Sequence, residues 1–218
     1  MLVTLSITAW RGEAKENGKL DEILTQVQAN YEKINDFYAK FAQEATVRAL
    51  NQVEKAEGEV WFKKPGKMRW NYYKPDKQEI VSDGRTIWLY NHEEKQVVES
   101  PLTEVVDTPT TTTLLSGLGN VKKQFNASFS KVGFPDEDGY LIDLTPKEDK
   151  SEEKYDKVTI AVDKKDMMVK TIYLYDPFGN LTKVRLRDIE INKGIPDSLF
   201  NLKVPKGVEV IKAPSSNQ

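Results

Sequence analysis

A nucleophile, a general base or a set of metal ligands would each leave a recognisable spacing, and in this chain of 218 residues the raw materials for all three are thin. There is no cysteine, which excludes disulfides, thiolate metal sites and a cysteine nucleophile. The single histidine, His92, falls in Asn91-His92-Glu93-Glu94, a turn in which it reads as solvated, a setting that argues against a histidine-centred metal site or a catalytic triad. Carboxylates are plentiful, yet none stands beside a histidine or a nucleophilic serine in a spacing suited to acid–base work. Asp83-Gly84 reads as a hairpin turn, and Gly117-Leu118-Gly119 lacks the lysine and hydroxyl residue of a phosphate loop. The expectation is a protein that binds rather than catalyses, with no cofactor and no metal.

The binding chemistry is concentrated in residues 58–91, which hold three of the four tryptophans. Side chains alternate across a strand, so Met68, Trp70 and Tyr72 share one face while Lys67, Arg69 and Asn71 share the other. One face is therefore large, apolar and soft. Lys63, Lys64, Lys67 and Arg69 interleave with Trp61, Phe62, Trp70 and Tyr72, a mixture that would suit single-stranded nucleic acid. A stacking platform needs its cations beside its rings, however, and the pleat sets Lys67 and Arg69 opposite Met68 and Trp70. A solvated outer face is the better reading, and no nucleic-acid partner is expected. The balance of 32 basic and 34 acidic residues likewise leaves no global pull toward polyanions, and a soluble, monomeric protein is expected.

The elements that must position this face follow from periodicity. Leu20, Ile23, Leu24, Val27, Tyr31 and Ile34 form the stripe of an amphipathic helix, with Asp21 and Glu22 read as its first turn. After Asn35-Asp36 the period changes to two, and a strand begins with Phe37, Ala39 and Phe41 on one face. Strands are predicted at 56–64, 67–73, 77–82, 85–91, 95–99, 125–134, 139–145, 157–163, 168–175 and 181–191, broken by Pro, Gly, Asn and Asp turns. Residues 147–157 read as a charged hairpin loop, and a last extended piece spans 201–211. Residues 100–124 interrupt the pattern: a helix start at Thr108-Pro109, an apolar patch at Leu114-Leu115, and Asn120 as an N-cap suggest two short, weakly stable helices.

The fold class expected is mainly β (α+β): a twisted antiparallel sheet of about 10–11 strands with an N-terminal helix and a short helical lid. One domain covers 19–211 with the lid insertion at 100–124, and residues 212–218 are frayed. Residues 1–18 are read as a signal remnant or a disordered terminus, because MLVTLSITAW is apolar but carries no basic n-region; export is favoured. No run of 18 or more apolar residues marks a transmembrane helix.

In order along the chain, FYAKFAQ at 37–43, GEVWFKKP at 58–65, MRW at 68–70, VSDGRTIWLYN at 81–91, LLSG at 114–117 and VPKGV at 204–208 closely resemble the outer-membrane lipoprotein carrier proteins, the LolA family. The resemblance runs from about residue 19 nearly to the end. It implies an unclosed antiparallel β-barrel with a helical lid, working in the periplasm of a two-membrane bacterium. Its cargo would be triacylated lipoproteins, received from an inner-membrane lipoprotein-releasing ABC transporter and passed to an outer-membrane lipoprotein receptor where one is present. That receptor is itself anchored through a cysteine, which this chain lacks, so carrier is preferred to receptor. A soluble envelope sensor that binds amphiphiles or proteins on the same scaffold is the alternative. Lys64 stands where the family commonly has an arginine that latches the lid, and Met68 where it often has phenylalanine.

With that resemblance, Phe37, Phe41, Trp61, Met68, Trp70, Ile80 and Trp88 are the expected wall or mouth of an acyl-chain cavity. Trp61 competes with Val60 and Phe62 for the inner face. Leu114, Leu115 and Leu118 are the expected plug of the empty cavity, with Lys64 as latch. Burying a methylene is worth about 0.8 kcal/mol, so one long acyl chain represents on the order of ten kcal/mol against water. Release then requires that displacing the plug nearly offset that gain.

Overall fold

The period-two segments become twelve strands of a single sheet. In the computed structural model, which describes residues 5–103, 120–147 and 157–213, they are β1 (Asp36–Val47), β2 (Gln52–Lys63), β3 (Lys67–Lys74), β4 (Gln78–Asp83), β5 (Thr86–Asn91), β6 (Gln96–Pro101), β7 (Phe125–Phe129), β8 (Tyr140–Pro146), β9 (Lys157–Val162), β10 (Val169–Tyr175), β11 (Leu181–Ile191) and β12 (Glu209–Lys212). Their order is β12-β6-β5-β4-β3-β2-β1-β11-β10-β9-β8-β7, so the sheet is unclosed, with β12 and β7 at its edges. Two meanders, one from each half of the chain, join where β1 pairs with β11 over Phe37↔Ile191 to Thr46↔Leu181.

Two details differ from expectation. The strands number twelve rather than ten or eleven, and the additional one, β12, runs parallel to β6. A four-residue strand is too short to announce a period, and a parallel partner over a hundred positions away leaves no local turn signal.

The amphipathic stripe is found where the spacing places it. Leu20, Ile23, Leu24, Val27, Tyr31 and Ile34 are all buried against one face of the sheet, here called the inner face. Helix α1 (Leu5–Glu32) nevertheless starts well before that stripe, so Asp21 and Glu22 sit in its interior rather than in its first turn. Ala9, Glu13, Ala14, Lys15 and Glu16 are good helix formers and nothing between Leu5 and Leu20 is a proline. The helix is pinned at its far end: the Asn30 side chain donates to the Asp166 carbonyl at 2.9 Å, and the Tyr31 hydroxyl accepts from the Val169 amide at 3.3 Å. Burial pushes the Tyr31 phenol well above its ordinary range, with the Val169 bond working the other way.

A second short helix, α2 (Val121–Gln124), buries Val121 beside α1 and ties to it through Lys122, 2.6 Å from Asp21 and 3.1 Å from the Thr25 hydroxyl. Asn120 precedes α2 as expected, but its side chain makes no capping bond. The expected plug residues Leu114, Leu115 and Leu118, the Thr108-Pro109 start, and most of the charged 147–157 loop lie outside the described residues.

The outer face is covered by two irregular segments, the first beginning where the strand expected over 125–134 stops at Phe129 and the second taking up most of the extended piece expected over 201–211. Residues 130–139 fold over β9–β11: Phe134 stacks on Tyr173 at 3.8 Å, and Glu137 accepts from Thr171, Tyr173 and Arg185. A C-terminal strap, residues 192–208, crosses β2–β4. It starts at Asp36, whose carboxylate accepts the Lys193 and Gly194 amides at 2.7 and 2.9 Å. It buries Ile195 and Phe200, and ends in β12.

Candidate apolar binding face

The inner face of β1–β5 is built by register. Phe37 lies opposite Phe62, Ala39 opposite Val60 and Phe41 opposite Gly58; across the next pair Phe62 meets Met68, Val60 meets Trp70 and Gly58 meets Tyr72. The rings interlock. Phe41 stands edge-on to Trp70 and to Tyr72, each at 4.9 Å; Phe62 is edge-on to Trp70 at 6.1 Å; and Trp70 stacks with Tyr72 at 6.4 Å. Gly58 makes that possible, because a Cβ there would sit 2.9 Å from the Phe41 ring and 1.9 Å from the Asn71 carbonyl oxygen.

One cross-strand row gives the face its gradient. From β1 to β12 it reads Ala39, Val60, Trp70, Ile80, Leu89, Val98 and Ile211, each directly paired with the next. Ala39, Val60 and Trp70 are sealed, Ile80 and Val98 are half-buried, and Leu89 and Ile211 are 42% and 40% exposed. An apolar row that passes from a sealed core to an open edge is a surface on which hydrocarbon can lie, and lateral burial of its half-exposed members is worth about 25 cal/mol per Å². One side chain in this row is anomalous: the Trp70 indole N–H, fully buried, has no hydrogen-bond partner, the single such buried side-chain atom among the described residues.

Of the residues singled out from sequence, Phe37, Phe41, Met68 and Trp70 are buried on this face, and Ile80 is half-buried on it. Trp61 and Trp88 are not on it. Trp61 packs against Tyr38 in a tilted arrangement at 5.4 Å, across the sheet from Val60 and Phe62. Trp88 pairs with Val81 and Glu99, and its indole donates to Glu99 at 3.0 Å, while its neighbours Ile87 and Leu89 take the inner face. Both are corrections with the same cause: each tryptophan lies in an apolar run where the two faces of the strand are both covered. Of the residues missed, Val60, Phe62 and Leu89 alternate with these tryptophans, while Val98 and Ile211 continue the row on β6 and β12. The polar partners Glu59 and Glu99 on the outer face were the available signal.

Lys64 is found on a helix end. Its ammonium donates to the Tyr31 and Glu32 carbonyls at 2.9 and 3.0 Å, which satisfies acceptors left open at the C-terminus of α1 and complements its dipole. The other cations of this region are engaged by the strap: Lys63 donates to the Ile195 carbonyl at 2.6 Å, Arg69 to the Leu199 carbonyl at 2.9 Å, and Asp197 bridges Lys63 and Lys67 at 2.6 Å each. Hydrogen bonds from Lys63 and Lys67 hold the Asp197 carboxyl down at about 2. Arg69 also pairs with Glu79. His92, expected to be solvated, instead lies tilted against Tyr90 at 4.0 Å and bonds Glu79 at 2.8 Å. Among the described residues no cluster of three or more His, Cys, Asp or Glu side chains converges as metal ligands would, and no helix is long and apolar enough to cross a membrane.

The profile of the family described as outer membrane lipoprotein carrier protein LolA matches residues 32–203, which contain every strand but β12. The chain belongs to that family. It is 31% identical over 173 residues to the outer-membrane lipoprotein carrier protein of Nitrosospira multiformis, covering 79% of this chain and 80% of the relative. It is 28% identical over 183 residues to that of Alkalilimnicola ehrlichii, at 84% and 80%. In fold it is similar to an uncharacterized conserved protein from Thermus thermophilus, with a TM-score of 0.57 at 15% identity over 89% of this chain and 99% of the other. As a member of the LolA family, with one unclosed and mostly antiparallel sheet folded around a helix, the chain has the fold class its sequence announced.

Proposed function

We propose that this protein is a periplasmic carrier that shields the acyl chains of lipoproteins and moves them from the inner to the outer membrane. The observation that supports this beyond family membership is the row from Trp70 to Ile211: hydrocarbon laid along it extends a core that is already aromatic and apolar instead of opening a new one. The half-open end lets chains enter and leave without unfolding the sheet, which a carrier needs and a permanent binder does not. The donor would be the inner-membrane transporter and the acceptor the outer membrane or a receptor on it. Leu114, Leu115 and Leu118 are proposed as the segment that chains displace.

The test is transfer. Protein loaded with a triacylated lipoprotein is mixed with acceptor vesicles, and the lipoprotein is followed by flotation. A carrier delivers it to the vesicles and is recovered empty. An envelope sensor keeps its ligand, and that outcome would replace the carrier reading.

A further inference from the structure

Trp70 sits at the boundary of the inner-face row. It is the last sealed side chain before the row opens through half-buried Ile80 to exposed Leu89, and it is walled by Phe41, Phe62 and Tyr72. Its N–H has no acceptor within reach among the described residues. A buried donor left unpaired costs stability, and native proteins rarely tolerate one without a use for it. Phenylalanine or leucine would fill such a site without that penalty.

We propose that the Trp70 indole N–H is a binding group for a carbonyl oxygen of the ligand, so that the face recognises acyl chains by their ester or amide carbonyl and not by hydrocarbon alone. This rests on the carrier reading and adds a chemical requirement to it. The chains of an acylated lipoprotein are joined through ester and amide carbonyls, which are strong acceptors with few neighbours able to satisfy them once the chains leave water. A chain lying along Leu89 and Ile80, with its glyceryl-cysteine end toward solvent, would bring such a group up to Trp70. The hydrogen bond would satisfy both the orphan donor and the desolvated acceptor, and would set how deep the chain lies.

The experiment uses the full chain labelled with 15N, with methyl palmitate and octadecane delivered separately from cyclodextrin. The Trp70 indole proton, assigned by its loss in Trp70→Phe, is expected to move downfield with methyl palmitate and to show no hydrogen-bond shift with octadecane. Replacing Trp70 by 3-benzothienylalanine, which keeps the ring shape and removes the N–H, is expected to weaken methyl palmitate roughly fivefold and leave octadecane unchanged, the size expected of one net hydrogen bond. If both ligands bind but neither the proton nor the affinity distinguishes them, the carbonyl contact is wrong and the carrier reading stands. If neither binds, the carrier reading itself fails and takes the contact with it.

Discussion

The two halves of the sheet share one inner face and use it differently. Under α1, strands β8–β11 present Ile142, Leu144, Val158, Ile160, Ile172, Leu174 and Val184, nearly all aliphatic and all essentially sealed. On the other side of β1, strands β3–β6 present Trp70, Tyr72, Ile80, Leu89 and Val98, aromatic near the centre and partly open toward β12. The first half resembles the core of any small domain; the second resembles a core left unfinished. On the carrier reading proposed above, stability and binding fall on separate strands of a continuous sheet, and a guest would complete the second half without disturbing the first.

That division is broken most severely from the sealed side. Ile160→Ala removes a fully buried side chain and is expected to cost about 2–5 kcal/mol in chemical denaturation. Acyl-chain affinity of the folded fraction is expected to hold. Gly58→Ala attacks the junction: the new methyl meets the Asn71 carbonyl and the Phe41 ring, so a loss of about 1–3 kcal/mol is expected, together with altered near-ultraviolet dichroism from the displaced rings. Leu89→Glu should do the reverse of Ile160→Ala. At 42% exposed it is expected to change stability by about 0.5 kcal/mol or less, yet to weaken acyl-chain binding about tenfold by charging the open row.

Lys64→Met sharpens the comparison at the helix that seals the first half. Two carbonyls at the end of α1 lose their donor, so hydrogen exchange at 28–34 is expected to speed up about five- to tenfold, while β4 and β5 remain as they were. The smallest effect is one of pH. Because the folded Asp197 carboxyl titrates at about 2, below an ordinary aspartate near ~4, its contribution to the strap is complete above that ordinary value and is lost as pH falls through 2. Amide resonances of Leu199 and Phe200, followed from pH 5 to 2, are expected to shift only at the acid end; a midpoint near 4 would mean that the Lys63 and Lys67 contacts are absent in solution.

Much of this was legible in the sequence because local periodicity is local physics. The α1 stripe and the alternation of Met68, Trp70 and Tyr72 required no knowledge of the rest of the chain. Trp61 and Trp88 failed because their placement depends on a distant covering. Strand β2 reads Val60-Trp61-Phe62 and β5 reads Ile87-Trp88-Leu89, apolar on both faces, and the tryptophans' outer-face partners, Tyr38 and Glu99, come from neighbouring strands. His92 looks like a turn residue until the β4–β5 register sets Glu79 opposite Tyr90 and so beside it. Lys64 was legible as a donor to backbone carbonyls, but which carbonyls it finds depends on the packing of α1.

The most direct test of the central claim uses two adjacent residues of β12. Ile211 lies on the inner face and is 40% exposed, while Val210 lies on the outer face and is 44% exposed, so strand and accessibility are matched and only the face differs. With a photoreactive side chain at each position in turn, illumination of protein loaded with a triacylated lipoprotein is predicted to cross-link its acyl chains from position 211 and not from 210. Equal labelling, or labelling from 210 alone, would contradict the account.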